Sequence, residues 1–390
     1  MSDRVVTGMA IANCLGIDND TVFDRAFKGG DAFSPADAYA ELPFPAVLGI
    51  MPPIAANDLD CTPTRIANVA FASVRQLRPA VRAAVDRWGA RRIAYVFASS
   101  TGGLECTERA IAPQPSLPSE SYSYGDHLVD ATSPAIARYL GIEGISLAIS
   151  TACSSSFKAL ASAMRLIDSG LADAAVVGSA DSLCRTTIFG FHSLGLLAPT
   201  ATRPFSRDRA GITLGEGSAY ILVERETDAN RDEALARVSG IGAASDTFHH
   251  TSPHPDGTGP AICMRQALDR AGLSPNQIDY VSAHGTGTKQ NDAAESAAVM
   301  RVFERTIPVT ATKCLTGHTL GSAGITALVL AIESLRRGQI PATLRATPDE
   351  ELAATVVTTL TPARVQHVLV NAFGFGGSNA SVIISQARSR

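Results

Sequence analysis

One cysteine and two histidines stand where strand-like runs give way to turns of small residues. They are Cys153 in Thr151-Ala-Cys-Ser-Ser-Ser156, His284 in Ser282-Ala-His-Gly-Thr-Gly-Thr288, and His318 in Lys313-Cys-Leu-Thr-Gly-His318. A thiol at the start of a helix meets unpaired backbone N–H groups and the positive end of the helix dipole, and both favour a thiolate. Such a group can take an acyl chain from a thioester. Two imidazole N–H donors can then hold the carbonyl oxygen of a second thioester while negative charge builds on it, so the set suits acyl transfer followed by carbanion chemistry. That work needs no metal. The rival readings are a buried structural cysteine, a Cys/His/His zinc site without a fourth ligand, and a phosphate cradle at His284-Gly-Thr-Gly-Thr288 without the Gly-Lys-Ser/Thr such loops carry. His249, His250 and His254 share a polar loop, where solvated or structural histidines are the usual case.

The elements that must position these residues alternate between strand and helix. Clear strands run from Ile93 to Ala98, Ile145 to Ile149, Ala174 to Gly178, Ala219 to Val223, Ile278 to Ala283, Ile307 to Ala311 and Val368 to Ala372, a pattern that predicts an α/β fold with largely buried strands. Behind Cys153, Phe157, Leu160, Ala161, Met164 and Ile167 recur at helical spacing before Gly170. A strand followed by an apolar helix returns from Pro308 through His318 to the run Gly321–Leu335, closed by Gly338. Upstream of each unit a further strand ends in small residues, at Phe97 to Gly103 and at Val281 to Gly287. The repeat predicts two similar halves packed face to face with Cys153 and His318 at comparable positions and the site between them. Loop signals cluster at Pro113 to Gly125, Pro199 to Gly217 and Ser252 to Pro260. The glycine-rich run Asn371-Ala-Phe-Gly-Phe-Gly-Gly-Ser-Asn379 follows a strand and carries two aromatics.

Composition sets the frame. With 390 residues, 45% hydrophobic and 18% charged, the chain can bury a large core over two domains or one duplicated unit. A net charge of -4 gives no reason to expect nucleic acid as a partner. The seven cysteines show no C-x-x-C pair, which predicts reduced thiols and a cytoplasmic location. No signal peptide and no stretch of about 20 apolar residues is evident, so no membrane span is expected.

Four motifs in order, Thr151-Ala-Cys-Ser-Ser155, His284-Gly-Thr-Gly-Thr288, Lys313 with Gly317-His318, and Gly374-Phe-Gly-Gly-Ser-Asn379, resemble the signatures of β-ketoacyl-[acyl carrier protein] synthases of the Cys-His-His, elongating type. The resemblance extends from Val5 to Asn379. It implies a thiolase-like duplicated fold, a five-layered αβαβα sandwich, with residues 1–235 as the half carrying the cysteine and 236–390 as the half carrying both histidines and a gate loop. It implies decarboxylative condensation of an acyl chain on Cys153 with malonyl-carrier protein. His284 and His318 would promote decarboxylation, Lys313 and Glu295 would organise the site, and the backbone N–H groups of Cys153 and Phe375 would form the oxyanion hole. Thr251, Thr286, Thr288, Phe373, Phe375 and Gly376 would line the pantetheine and substrate path. No dissociable cofactor is implied, because substrates ride on the phosphopantetheine arm of the acyl carrier protein. The other expected partner is a second subunit, either an identical chain or a chain-length-factor-like homologue. Arg65, Arg207 and Arg209 are candidate contacts for the acidic carrier.

Departures from the family pattern are Lys289-Gln-Asn-Asp292 in place of Pro-Leu-Gly-Asp, and Ser206, Ala210 and Ile212, the last replacing an aromatic. The segment between Gly103 and Ser133 looks shorter than in housekeeping fatty-acid enzymes. With Asp181 to Gly195, these features look closer to ketosynthases of bacterial aryl-polyene and related type II polyketide clusters. A thiolase would want a second cysteine near the C-terminus, where Asn371-Ala-Phe-Gly-Phe has none, and priming synthases usually carry asparagine at the place of His318. The remaining alternative is a chain-length-determining partner without catalysis of its own, although such subunits typically lack the nucleophilic cysteine.

Overall fold

The computed structural model describes residues 4–54, 59, 61, 64–111 and 123–387. Most of the loop expected between Pro113 and Gly125 lies outside these residues, as does part of the segment between Gly103 and Ser133.

In the first half, β1 (Arg4–Asn13), β2 (Ile93–Ala98), β3 (Ser146–Ile149), β4 (Ala174–Asp181) and β5 (Gly217–Arg225) pair in the order β1-β5-β4-β2-β3. The first two pairings are antiparallel and the last two parallel. In the second half, β6 (Ala236–Ser245), β7 (Tyr280–Ser282), β8 (Pro308–Thr310), β9 (His367–Gly374) and β10 (Ser378–Gln386) repeat the plan as β6-β10-β9-β7-β8, again two antiparallel pairings and then two parallel ones. The two sheets meet edge to edge through the short pairing of Val5 with Arg237 and Val6 with Ala236.

Helices repeat in the same way. The first half supplies α1 (Arg65–Trp88), α2 (Ser133–Leu140) and α3 (Ser155–Asp168); the second supplies α4 (Thr258–Ala271), α5 (Lys289–Phe303) and α6 (Ala323–Arg337). Helix α6 is buried at every position from Ala323 to Leu335, as a helix apolar over most of its surface must be when it lies between two sheets. Its partner in that central layer is α3, and Ser156 Oγ accepts the Ile325 N–H at 3.1 Å where the two meet. The layers are therefore helix, sheet, α3 with α6, sheet, helix.

Three apolar clusters fill the gaps between layers. Side-chain alternation on each strand splits the buried residues between them: Val96 and Ala98 of β2 join the central cluster with Phe157 and Leu328, while Tyr95 and Phe97 face outward onto α1 with Val74 and Leu77. A third cluster packs α4 and α5 against the outer face of the second sheet. Strand β3 is different. It ends the first sheet, its residues Ser146, Leu147 and Ala148 are exposed, and one side of its backbone is unpaired. Among the described residues no helix is long and apolar enough to cross a membrane.

Candidate active site

Cys153 follows β3 through a tight elbow. Ala152 takes a left-handed conformation (φ 52°), which a residue with a Cβ adopts only under constraint. The constraint is visible: the Thr151 N–H donates to Ser155 Oγ at 2.9 Å, and Ser155 Oγ–H donates to the Ala152 carbonyl at 2.5 Å. Gly374 at the end of β9 presses on the outside of this turn. A Cβ on it would lie 3.1 Å from the Thr151 oxygen and 3.3 Å from the Cys153 nitrogen. The backbone N–H of the next residue, Phe375, points at the sulfur.

The second half supplies the imidazoles. His318 Nε2 lies 3.1 Å from Cys153 Sγ, and its ring is 5.4 Å from that of His284, nearly perpendicular to it. The Leu320 N–H donates to His318 Nδ1 at 3.1 Å. A neutral imidazole so engaged carries its proton on Nε2, the atom that faces the sulfur. His284 is oriented in the same sense: Lys313 Nζ is 3.2 Å from its Nδ1 and donates to its backbone carbonyl at 2.5 Å. Both histidines thus turn an N–H toward the cysteine.

Burial dominates the electrostatics. It holds His284 and His318 well below the usual histidine range, with the Lys313 charge acting in the same direction, so both are neutral. Burial also lowers Lys313 to about 8, while the negative charge of Glu295 pulls it back up. The thiol of Cys153 is pushed up to about 11 by burial, with the Lys313 charge and the Phe375 N–H opposing. The expected thiolate is therefore not the resting form. Desolvation of an anion in this closed site outweighs what the helix end supplies.

Glu295 organises the site through main chain. Its two oxygens accept the N–H groups of His284 and Gly285, each at 2.8 Å, and Asn371 Nδ2 adds a third bond at 2.9 Å. No hydrogen bond joins it to Lys313 among the described residues, so it shapes the His284 turn and acts on the lysine through charge alone. Asp292 plays a matching part. It accepts the Phe205 N–H at 2.7 Å and the Gly287 N–H at 3.2 Å, and so fastens the segment after Arg203 to the His-Gly-Thr loop.

A cavity of roughly 620 Å³, counting its open mouth, runs from Cys153 outward. Thr251, Thr286, Thr288, Phe373, Phe375 and Gly376 all line it, and Thr286 and Thr288 face each other with hydroxyls 3.0 Å apart. Thr288 also caps α5, accepting the Asn291 N–H at 3.2 Å. Opposite the threonines stands an apolar wall of Leu196, Ile212 and Phe191, the last stacked on Phe375 at 5.4 Å. Phe191, Asn371 and the pair His249–His250 are not among the site residues the sequence marks. Phe191 lies inside the Asp181 to Gly195 stretch, noted only for its family likeness, Asn371 reads as one polar residue in a strand, and the histidines look like surface loop.

Two of the three candidate docking arginines are otherwise engaged. Arg65 Nε donates to the buried Glu216 at 3.1 Å, and Arg209, only 9% exposed, is held by Asp349 and the Ser206 carbonyl. Arg207 is exposed.

The ligand atoms of Cys153, His284 and His318 lie within 4.8 Å of one another, near enough to surround one ion. The chemistry around them suits an anion instead. A metal would need the lone pair of each Nε2, yet Leu320 and Lys313 fix the tautomers that place protons there. The next charged neighbour is the cation of Lys313.

The duplicated sandwich, with a cysteine from one half beside two N–H-presenting histidines from the other, defines a thiolase-like condensing enzyme. The sequence matches the families described as β-ketoacyl synthase, N-terminal domain, over residues 2–229, and β-ketoacyl synthase, C-terminal domain, over residues 235–347. It is 32% identical to 3-oxoacyl-[acyl-carrier-protein] synthase 2 of Vibrio cholerae over 77% of this chain and 78% of that one, and 33% identical to nodulation protein E of Rhizobium meliloti over 73% of each. A solved chain from the complex of the ketosynthase ApeO with its chain length factor ApeC, from Xenorhabdus doucetiae, superimposes with a TM-score of 0.88 at 35% identity, covering 99% of this chain and 98% of that one. The chain belongs to the β-ketoacyl synthase family, and its activity is that of a 3-oxoacyl-[acyl carrier protein] synthase, an acyltransferase of fatty-acid or polyketide synthesis.

Proposed function

We propose that this chain is the catalytic, elongating subunit, divided at residues 235/236 into a nucleophile half and a histidine half. The carrying observation is the 3.1 Å approach of His318 Nε2 to Cys153 Sγ, with both imidazole N–H groups turned to the same point. In the first step Sγ attacks the thioester of an acyl-carrier protein. A new S–C bond forms, the old one breaks, and the thiol proton leaves on the carrier sulfur. The N–H groups of Cys153 and Phe375 hold the oxyanion. Malonyl-carrier then enters past Thr251, Thr286 and Thr288. Loss of CO₂ leaves an enolate whose oxygen is held by His284 and His318, and its carbon attacks the Cys153 thioester and expels the thiolate.

The substrates arrive covalently on the carrier's phosphopantetheine arm, and the reaction as written needs no dissociable cofactor. The partners are the acyl carrier protein and a second subunit, identical or chain-length-factor-like. The ApeO–ApeC complex supports the second form at 35% identity. Ile212 in place of an aromatic, Lys289-Gln-Asn-Asp292 and the stretch Asp181 to Gly195 support service in a polyene-type polyketide pathway in the cytoplasm. An independent chain-length factor would have no use for an assembled Cys-His-His set.

The test is intact-protein mass spectrometry after mixing with carrier proteins bearing saturated, polyene and aryl-polyene thioesters. An acyl adduct present in the native chain and absent in Cys153→Ala supports the reading. An adduct that survives Cys153→Ala overturns it.

A further inference from the structure

At the outer end of the cavity two imidazoles lie one over the other. The rings of His249 and His250 stack at 4.1 Å with 24° between their planes, and both line the cavity while remaining exposed to solvent. Neither is absorbed by the reaction described above. His249 is oriented: its Nδ1 accepts the Thr251 N–H at 3.1 Å and lies 3.2 Å from the Thr251 hydroxyl, so its proton sits on Nε2. The backbone of His250 is fastened to the gate loop, where the Gly376 N–H donates to its carbonyl at 2.8 Å.

The acidic groups of this loop are already engaged elsewhere. Asp246 accepts the N–H groups of Phe248 and His254, and Asp256 faces His254 at 3.9 Å. Nor do these histidines form a cation site, since among the described residues the one trio of ligand atoms within 4.8 Å is the catalytic one. What the pair offers is N–H donors at the rim of a tunnel, with no carboxylate bonded to them among the described residues. That is the chemistry of a phosphate subsite, because imidazole N–H groups form charge-assisted bonds to phosphate oxygens.

We propose that His249 and His250 grip the phosphate at the far end of the pantetheine arm and so position the thioester at Cys153. The proposal rests on the ketosynthase reading and deepens it. Since the same phosphate occurs on a carrier serine and in coenzyme A, the probe is a free acyl-phosphopantetheine thioester, which leaves protein docking out of the measurement. It is compared with the same acyl-pantetheine thioester lacking the phosphate, and the rate of Cys153 acylation is followed by mass.

For the native chain kcat/KM for the phosphorylated thioester is expected to be about tenfold higher, carried by KM. This corresponds to one charge-assisted bond of about 1.4 kcal/mol. In the pair His250→Gln and His249→Gln/His250→Gln the preference is expected to fall stepwise toward one, and inorganic phosphate, expected to inhibit the native chain competitively, to lose its effect. Equal kcat/KM for the two thioesters in the native chain, or a preference that survives the double substitution, overturns the phosphate subsite. Acylation of Cys153 by the unphosphorylated thioester in the same experiment shows that the ketosynthase reading stands regardless. If neither thioester acylates the native chain, that reading falls and the subsite with it.

Discussion

At the scale of single residues, the site works by withholding water from charges. Cys153 sits at about 11 because burial disfavours its thiolate, and Lys313 is the main charge opposing that. Replacing Lys313 with Met should therefore raise the thiol pKa further and slow iodoacetamide labelling of Cys153 at pH 8 several-fold, read by mass against the native chain. Lys313 itself loses its proton near pH 8. Condensation is accordingly expected to decline as pH rises above 8, as the donor that orients His284 becomes neutral. The histidines predict the opposite limb. Their pKa values are lowered well below 6.5 in the fold, so below pH 6.5 the unfolded chain binds protons that the native state refuses, and stability falls as pH falls. Denaturant unfolding at pH 7.5 and 5.5 checks this: His318→Gln should lose less stability over that interval than the native chain. An equal loss would remove His318 from the acid sensitivity.

At the scale of elements, what places these groups is close packing around β3, β9, α3 and α6. The central helix tolerates no void, since Leu328 is fully buried between both sheets. Leu328→Ala should cost about 3 kcal/mol in a reversible unfolding measurement, within the range for a buried leucine. Strand and helix also touch directly where side chains are absent. A Cβ on Gly242 of β6 would lie 1.8 Å from the Cys263 oxygen in α4, so Gly242→Ala must push the helix from the sheet. It is expected to lower the melting temperature by several degrees, while Gly141→Ala, whose Cβ would meet nothing within 4 Å, should be limited to the strain of its φ of 72°.

At the scale of the whole molecule, the exposed edge strand β3 is the feature a lone chain leaves unresolved. An unpaired edge with Leu147 38% exposed is a template for another strand, and it ends four residues before Cys153. The expected outcome is a dimer, through a second copy or a homologous subunit. Leu147→Lys should shift the mass measured by light scattering toward the 40.6 kDa of one chain. An unchanged mass would move the interface elsewhere. At the same scale, Arg65 and Arg209 are already paired with Glu216 and Asp349, carboxylates distant in sequence.

Local pattern was enough to expose the strand ends bearing Cys153, His284 and His318, the duplicated strand-and-helix plan, and Thr286 and Thr288 beside their glycines, because each is written in contiguous residues whose spacing is set by backbone geometry; Thr251 came only with the family resemblance. Strands β6 and β10 did not stand out, since Ala236–Ser245 and Ser378–Gln386 are rich in small and polar residues whose burial comes from the neighbouring strands. The charge states also depended on assembly. A helix end by itself favours a thiolate, but the opposing half closes over Cys153 and removes the water that would stabilise one. Likewise the tautomers of His284 and His318 are set by Lys313 and the Leu320 N–H, and the His250 backbone is held at the cavity by the Gly376 N–H. The sequence by itself determined which groups could react. The tertiary structure decided their protonation and their aim, because desolvation and hydrogen-bond direction exist only once the two halves have met.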